Sequence, residues 1–310
     1  MMSDRAVDAA VQPLLLLLLP PLLLGVIVKT KAAFAGRVGA PLLQPYHDLW
    51  KLLRKGAVLS RTTTSVFLAG PAITWVAVVL AGLLVPLAGG AAPIRFDGDL
   101  ILFAYLLALG RFFTALAALD TGSSFEGMGA AREMTFACLA EPALFLGLLA
   151  LARTSKKKNL SDLFGAPIAA SWSSATPTMV LVLFGLFIVL LVENSRIPFD
   201  DPNTHLELTM VHEVMVLDHG GPALGVVLHG AAVKLLVLSS LVVGLVVPVR
   251  VDAAPLRWAL FVAATLAVAV AVGVVESTMA RLRLLYVPNL LMGACLLTGF
   301  GFLLLLGTHP

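Results

Sequence analysis

Two cysteines in 310 residues, Cys138 and Cys295, lie far apart and inside apolar runs. That excludes a disulfide framework and any cysteine set with metal-ligand spacing. Metal or cluster redox chemistry connected with this chain must therefore reside in another one. Charge is also scarce: Asp, Glu, Lys and Arg make up 13% of the sequence against 59% hydrophobic residues, and the mean hydropathy is +0.98. The gaps between apolar runs leave no room for a soluble domain, so residues 1–310 read as a single polytopic membrane domain. The runs lack the period-two alternation of a membrane barrel strand, and hydrocarbon offers no partners for backbone N–H and C=O groups. The fold class expected is therefore an all-α integral membrane protein. The inverted internal repeat that marks many carriers is not visible either.

What is present is a series of apolar segments of roughly the twenty residues a helix needs to cross a bilayer. They lie at about 9–28, 65–87, 100–119, 136–152, 177–192, 223–247, 257–275 and 284–305, which predicts about eight transmembrane helices joined by short loops. Ala33-Phe34-Ala35 imitates a signal-peptide cleavage site, but Asp4, Asp8 and two intervening lysines argue for a retained first span. The segment from Lys29 to Arg61 is basic and carries the apolar pattern Leu42, Leu43, Leu49, Trp50, Leu52, Leu53. It is expected to hold an amphipathic helix at the lipid headgroups. The pI of about 9.0 does not imply nucleic acid, because positive-inside topology accounts for this dense basic loop. The same rule places that loop on the cytoplasmic side, with the cluster Arg153 to Lys158 as a counter-indication.

Ionisable groups concentrate between the fifth and sixth apolar runs, from Glu193-Asn194-Ser195-Arg196-Ile197-Pro198-Phe199-Asp200-Asp201 to Asp218-His219-Gly220-Gly221-Pro222. Asp201 as N-cap and Pro202 at the first helical position predict a helix to about Leu217, ended by Gly220-Gly221-Pro222. His212-Glu213 resembles the start of a metalloprotease helix, but Val216 stands where H-E-x-x-H needs its second histidine, so no metal site is expected. Carboxyls at membrane depth are costly and usually turn toward protein or a wet cavity. Glu141 and Glu193 are the two acids expected to be embedded, each at the junction of an apolar span and a cytoplasmic loop. Helix capping or pairing with Arg132 and Arg196 is the plain structural alternative. Arg111, His229 and Lys234 lie inside apolar runs, and an intramembrane lysine is seldom without a role.

The segments Ala35-Gly36-Arg37-Val38-Gly39, Leu43-Gln44-Pro45-Tyr46-His47-Asp48-Leu49-Trp50-Lys51 and Glu193 to Asp200, together with the number of spans, resemble subunit 1 of respiratory complex I, a component of NADH-quinone oxidoreductase. The resemblance runs from about Leu14 to the last span. It departs from complex I after Asp200, where Asp201-Pro202-Asn203-Thr204-His205-Leu206-Glu207-Leu208-Thr209 replaces a run of alternating glutamates. That form is similar to the formate hydrogenlyase subunit 4 type of membrane subunit found in group 4 nickel-iron hydrogenases. The resemblance implies a non-catalytic anchoring and ion-coupling subunit in a prokaryotic cell membrane. Its partners would be soluble hydrogenase-like and iron-sulfur subunits and antiporter-like membrane subunits, with all cofactors in those partners. It marks Glu141, Glu193, Glu207, Glu213, Asp218 and Lys234 as ion-path residues, and Arg132, Arg196 and Asp200 as members of ion pairs. The alternative it leaves is a quinone-binding complex I subunit.

Overall fold

Residues 2–164, 166–200, 210–247 and 253–308 are described by a computed structural model. Twelve α-helices follow one another: α1 Met2–Leu18, α2 Pro20–Phe34, α3 Gln44–Leu53, α4 Ser65–Leu84, α5 Asp99–Asp120, α6 Ser124–Ser155, α7 Leu160–Leu163, α8 Ala166–Ser174, α9 Thr176–Glu193, α10 Gly221–Val246, α11 Ala254–Thr278 and α12 Val287–Thr308. Among the described residues there is no strand. Seven helices, α4, α5, α6, α9, α10, α11 and α12, are long and apolar enough to cross a membrane, and α1 with α2 forms an eighth crossing bent by 47°. The chain is thus a multi-pass membrane protein, with the number of crossings its hydropathy predicts.

The bend in the first crossing has a backbone cause. Pro20 and Pro21 bring no N–H, so the carbonyls one turn earlier lose their helical donors. Neighbouring helices supply replacements. The Leu18 carbonyl accepts from the Tyr46 hydroxyl of α3 at 2.5 Å, and burial pushes the Tyr46 pKa up, keeping it a donor. The Leu17 carbonyl accepts from His229 Nε2 of α10 at 3.0 Å, while Trp75 Nε1 of α4 donates to His229 Nδ1 at 2.8 Å. Those two contacts fix His229 as the neutral Nε2–H tautomer. Helix α3 is short, polar on one side and without a buried residue, as expected for an interfacial helix.

The remaining helices form one bundle in which α5 lies between α4 and α6, α12 packs on α6 and α9, and α10 packs on α3, α4 and α11. Small residues permit the closest approaches. A Cβ at Gly70 would press on Ala117 and the Phe113 carbonyl, and one at Gly185 would strike Thr298. On the face away from the basic loop, Asp8 takes Arg257 at 2.5 Å and Trp258 Nε1 at 3.0 Å, tying the first crossing to α11.

Two expectations change. The polar stretch before Phe136 is not a loop, because α6 begins at Ser124, so Glu141 lies in mid-helix and not at a junction. Beyond residue 209, the helix expected to reach Leu217 is a turn followed by a single 3₁₀ helix, Glu213–Val216. Gly220-Gly221-Pro222 opens α10 instead of closing a helix, with Pro222 in the first turn where a missing N–H is harmless. Asp201, Pro202, His205 and Glu207 fall outside the described residues.

The break should depend on its side-chain donors. His229→Ala leaves the Leu17 carbonyl and the Trp75 indole N–H unpaired, for a loss of about 1–3 kcal/mol. Thermal unfolding in detergent measures it. A melting temperature equal to that of an exposed control such as Trp50→Ala would show that the break is held by other contacts.

Candidate functional site

Helix α9 stops early. Glu193 is its last residue, yet the Glu193 carboxylate reaches Arg111 in the middle of α5 and Lys234 in the middle of α10, so α9 ends at membrane depth. Its terminus is closed by a Schellman motif: Ser195 N–H donates to the Val192 carbonyl at 3.0 Å and Arg196 N–H to the Leu191 carbonyl at 2.8 Å. Ser195 occupies the left-handed position at φ 50°, where glycine is usual, and Asn194 Nδ2 donates to the Leu190 carbonyl at 2.8 Å. The chain then returns to the basic-loop face through buried residues. Phe199 meets Phe136 edge-on at 5.4 Å, and Asp200 accepts the Val211 N–H at 2.9 Å and pairs with Arg281 at 2.8 Å.

At the end of α9 the Arg111 guanidinium gathers three carboxylates. It pairs with Glu193 through Nη2 at 2.7 Å, with Glu141 of α6 through Nη1 at 2.6 Å, and more loosely with Glu133 of α6 through Nε at 3.8 Å. Lys234 Nζ meets the other Glu193 oxygen at 2.9 Å. Three acids and two cations on four helices thus form one continuous chain of contacts. The side chains of Arg111 and Glu193 are nearly inaccessible at 6% and 4%, whereas Glu141 is 41% exposed on the lateral surface of the bundle. Beside the cluster is a cavity of about 60 Å³ walled by Thr74, Glu133, Asn194, Ser195, His212 and Lys234 among others, large enough for a few water molecules.

A second network lies toward the basic loop. Glu276 of α11 is buried and pairs with Lys31 of α2 at 2.8 Å and with Arg196 at 3.3 Å. It fastens the segment after α9 to the first crossing. Arg196 is therefore an ion-pair residue, as is Asp200, but the partner of Arg196 is Glu276 and not Glu141 or Glu193. Arg132 departs further from expectation: it donates to the Met210 carbonyl at 3.0 Å and approaches Met128 sulfur, and it makes no ion pair among the described residues. The i, i+4 spacing of Met128 and Arg132 on α6 keeps that guanidinium on the helix face turned to the returning chain, away from the acids.

Of the expected ion-path residues, the structure brings together Glu141, Glu193 and Lys234. Glu213 is half-buried on the 3₁₀ helix and Asp218 is exposed near the basic-loop face, so neither touches Arg111. Glu207 lies outside the described residues. The centre of the cluster, Arg111, was visible as a cation within an apolar run without a deduced partner, and Glu133 was visible as one acid among many. An intramembrane arginine calls for acids at its own depth, which is the signal that could have joined them. Among the described residues no His, Cys, Asp and Glu group is arranged to hold a metal ion.

Comparison with known proteins follows the same outline. A family model described as NADH dehydrogenase matches residues 8–307. Formate hydrogenlyase subunit 4 of Escherichia coli (strain K12) is 32% identical over 298 residues, covering 94% of this chain and 94% of that protein. Hydrogenase-4 component C of the same organism is 34% identical over 240 residues, covering 77% and 75%. The corresponding membrane component of NADH-quinone oxidoreductase from Rhodospirillum rubrum is 27% identical over 175 residues, covering 56% and 51%. A chain from the structure of the membrane-bound sulfane sulfur reductase, an archaeal respiratory membrane complex, has the same fold: its TM-score is 0.81 at 20% identity, covering 96% of this chain and 98% of that one.

Arg111 should be the residue the cluster can least lose. Arg111→Met strands three carboxylates and is expected to cost about 3–5 kcal/mol, read as a lower melting temperature and yield in detergent. Arg111→Lys keeps the charge but not the planar fork and should lose less. If Arg111→Met melted no earlier than Arg54→Met on exposed α3, the cluster would not depend on this cation.

Proposed function

Because the chain belongs to the NADH dehydrogenase family, we propose that it is the membrane-anchoring and ion-coupling subunit of a membrane-bound nickel-iron hydrogenase complex of the formate hydrogenlyase kind. It links redox chemistry in a soluble arm to ion movement through the Arg111 cluster. The observation that carries this reading is the unbroken contact chain Glu141, Arg111, Glu193, Lys234 at membrane depth, beside a cavity with room for water. A protein needing only an anchor gains nothing from burying five charges, since a hydrophobic replacement of similar volume is often as stable or more so.

The exposure of Glu141 adds the partner. A carboxylate on the lateral, lipid-depth surface is costly unless something polar covers it. Glu141 therefore marks where an antiporter-like membrane subunit docks and receives the ion path. The basic-loop face, which we place in the cytoplasm of a prokaryotic cell, bears the soluble hydrogenase-like and iron-sulfur subunits. Those partners hold the iron-sulfur clusters and the nickel-iron site. The hydrogenase reading is preferred to a quinone-binding one on two grounds. The segment after Asp200 departs from the complex I pattern, and the long matches are to the two hydrogenase-type relatives.

The partnership is tested by purifying a tagged chain in mild detergent. Recovery with hydrogenase-like and iron-sulfur subunits is expected; a lone chain that transports ions by itself after reconstitution would overturn the reading.

The cluster separates path from scaffold in a second test. Glu141→Gln removes the half-exposed acid and leaves Arg111 two others, so the complex should assemble while redox-driven ion movement is lost. Glu193→Gln deprives two cations at once and should also lower stability, by about 3–5 kcal/mol. Intact ion movement in Glu141→Gln would remove this residue from the path.

A further inference from the structure

A pair of titratable groups near the basic-loop face has no part in the cluster. Glu126, in the first turn of α6, is fully buried; its Oε1 accepts the Asp218 backbone N–H at 3.0 Å. Its Oε2 is buried and has no hydrogen-bond partner, the neighbouring Thr121 hydroxyl donating instead to the Ala118 carbonyl at 2.8 Å. No cation pairs with Glu126 among the described residues. The next residue after Asp218, His219, is 5% exposed and stacked on Phe67 at 4.0 Å between ring centres. Its Nε2 donates to the Phe67 carbonyl at 3.3 Å, which leaves Nδ1 as a bare lone pair, also buried and unpartnered.

Two buried atoms able to take a proton are thus held together through one backbone N–H, and an unpaired polar atom in such a place is costly unless it is used. Burial pulls the His219 pKa down, so the ring is neutral at neutral pH and its lone pair is available. The charged groups around the pair are few: Asp218, exposed at its outer edge, and Asp120, which caps α4 through the Thr64 and Phe67 N–H groups. The donor set does not resemble a sodium site, because a hard cation takes several oxygen ligands and this pair offers one free oxygen and one nitrogen.

The pair is aligned with the cluster. Glu126, Glu133 and Glu141 lie about two helical turns apart on one side of α6, so about 10 Å of rise separates the outer pair from the cavity at Glu133. The interval is closed by apolar groups: Val214 and Met215 of the 3₁₀ helix sit against Gly129, where a Cβ would collide with Val214. Met215 also lines the cavity, so the same turn separates the two wet ends.

We propose that Glu126 and His219 form a proton-loading site on the basic-loop side of the Arg111 cluster, with the Val214–Met215 turn as the barrier between them. This rests on the ion-coupling reading above and specifies the ion as a proton. One proton enters from water beside Asp218 and resides on Glu126 Oε2 or His219 Nδ1. It crosses to the Glu133 cavity when the turn admits water, and its departure returns Glu126 to the carboxylate and His219 to the neutral ring. No electron moves in this chain.

The test uses the whole complex in sealed vesicles, with a pH-sensitive dye inside and sodium removed from all buffers. The wild type is expected to move protons without sodium, and Glu126→Gln, which preserves shape and can still accept the Asp218 N–H, to assemble but lose proton movement per turnover. His219→Gln should do the same. A redox-triggered infrared difference spectrum of the wild type should also contain a carboxylic acid C=O band that Glu126→Gln removes and Glu213→Gln does not. Wild-type proton movement in Glu126→Gln with no such band, or movement strictly dependent on sodium, would overturn the proposal while leaving the ion-coupling reading intact. A wild-type complex that moves neither ion would overturn both.

Discussion

The guanidinium of Arg111 is the constraint from which the interior of this bundle follows. A cation placed near the middle of an apolar helix must be met by acids at its own depth or be expelled, because lipid neither solvates nor screens it. Glu141 and Glu133 are delivered by α6 and Glu193 by the end of α9, and Glu193 in turn needs Lys234 of α10. For α9 to present its last carboxylate there, the helix has to end inside the membrane. Its carbonyls must then be satisfied by the following residues, which is what Asn194, Ser195 and Arg196 do. The odd sequence after α9 is thus the consequence of one buried charge.

The return of the chain to the basic-loop face explains the second network. A polar segment descending through a bundle must be fixed along its whole length, since its backbone has no lipid-compatible alternative to internal pairing. Glu276 takes Arg196 and Lys31, Asp200 takes Arg281 and two backbone N–H groups, and Pro198 offers its carbonyl to Leu282. The motif from Glu193 to Asp200 therefore divides its labour by position: its first acid belongs to the cluster, and its later charges secure the path that brings the chain back.

Much of the fold was legible because hydropathy is a sum over many residues. The eight crossings and the interfacial helix α3 follow from run length, and the break in the first crossing follows from two prolines. The site was less legible for a geometric reason. Glu141 and Glu193 could be recognised as embedded from their apolar neighbours, but which cation each meets depends on helix rotation and depth, and short-range sequence carries neither. Arg132 and Arg196 are nearer than Arg111 to the acids in sequence, and they are not the partners. The expected helix up to Leu217 failed in its described part because Val211, Val214, Met215 and Val216 are all buried. A segment enclosed on every side is shaped by what surrounds it, and tertiary packing overrides capping signals there.

Charge counting gives the cluster its dynamic content. Three carboxyls face two cations, so one carboxyl is in excess whichever pairs are drawn. Acids that share a single guanidinium do not titrate separately, and a proton on the cluster belongs to the set. Moving that proton from Glu133, on the cavity, to Glu141, on the lateral surface, requires only that Arg111 shift its weight between two acids it already touches. Glu193 and Lys234, the most enclosed contact in the chain, can stay in place during that exchange. An arrangement in which one arginine balances an inner and an outer acid against a fixed pair has two states of nearly equal connectivity, and it is the element through which a partner bearing on either side could bias the other.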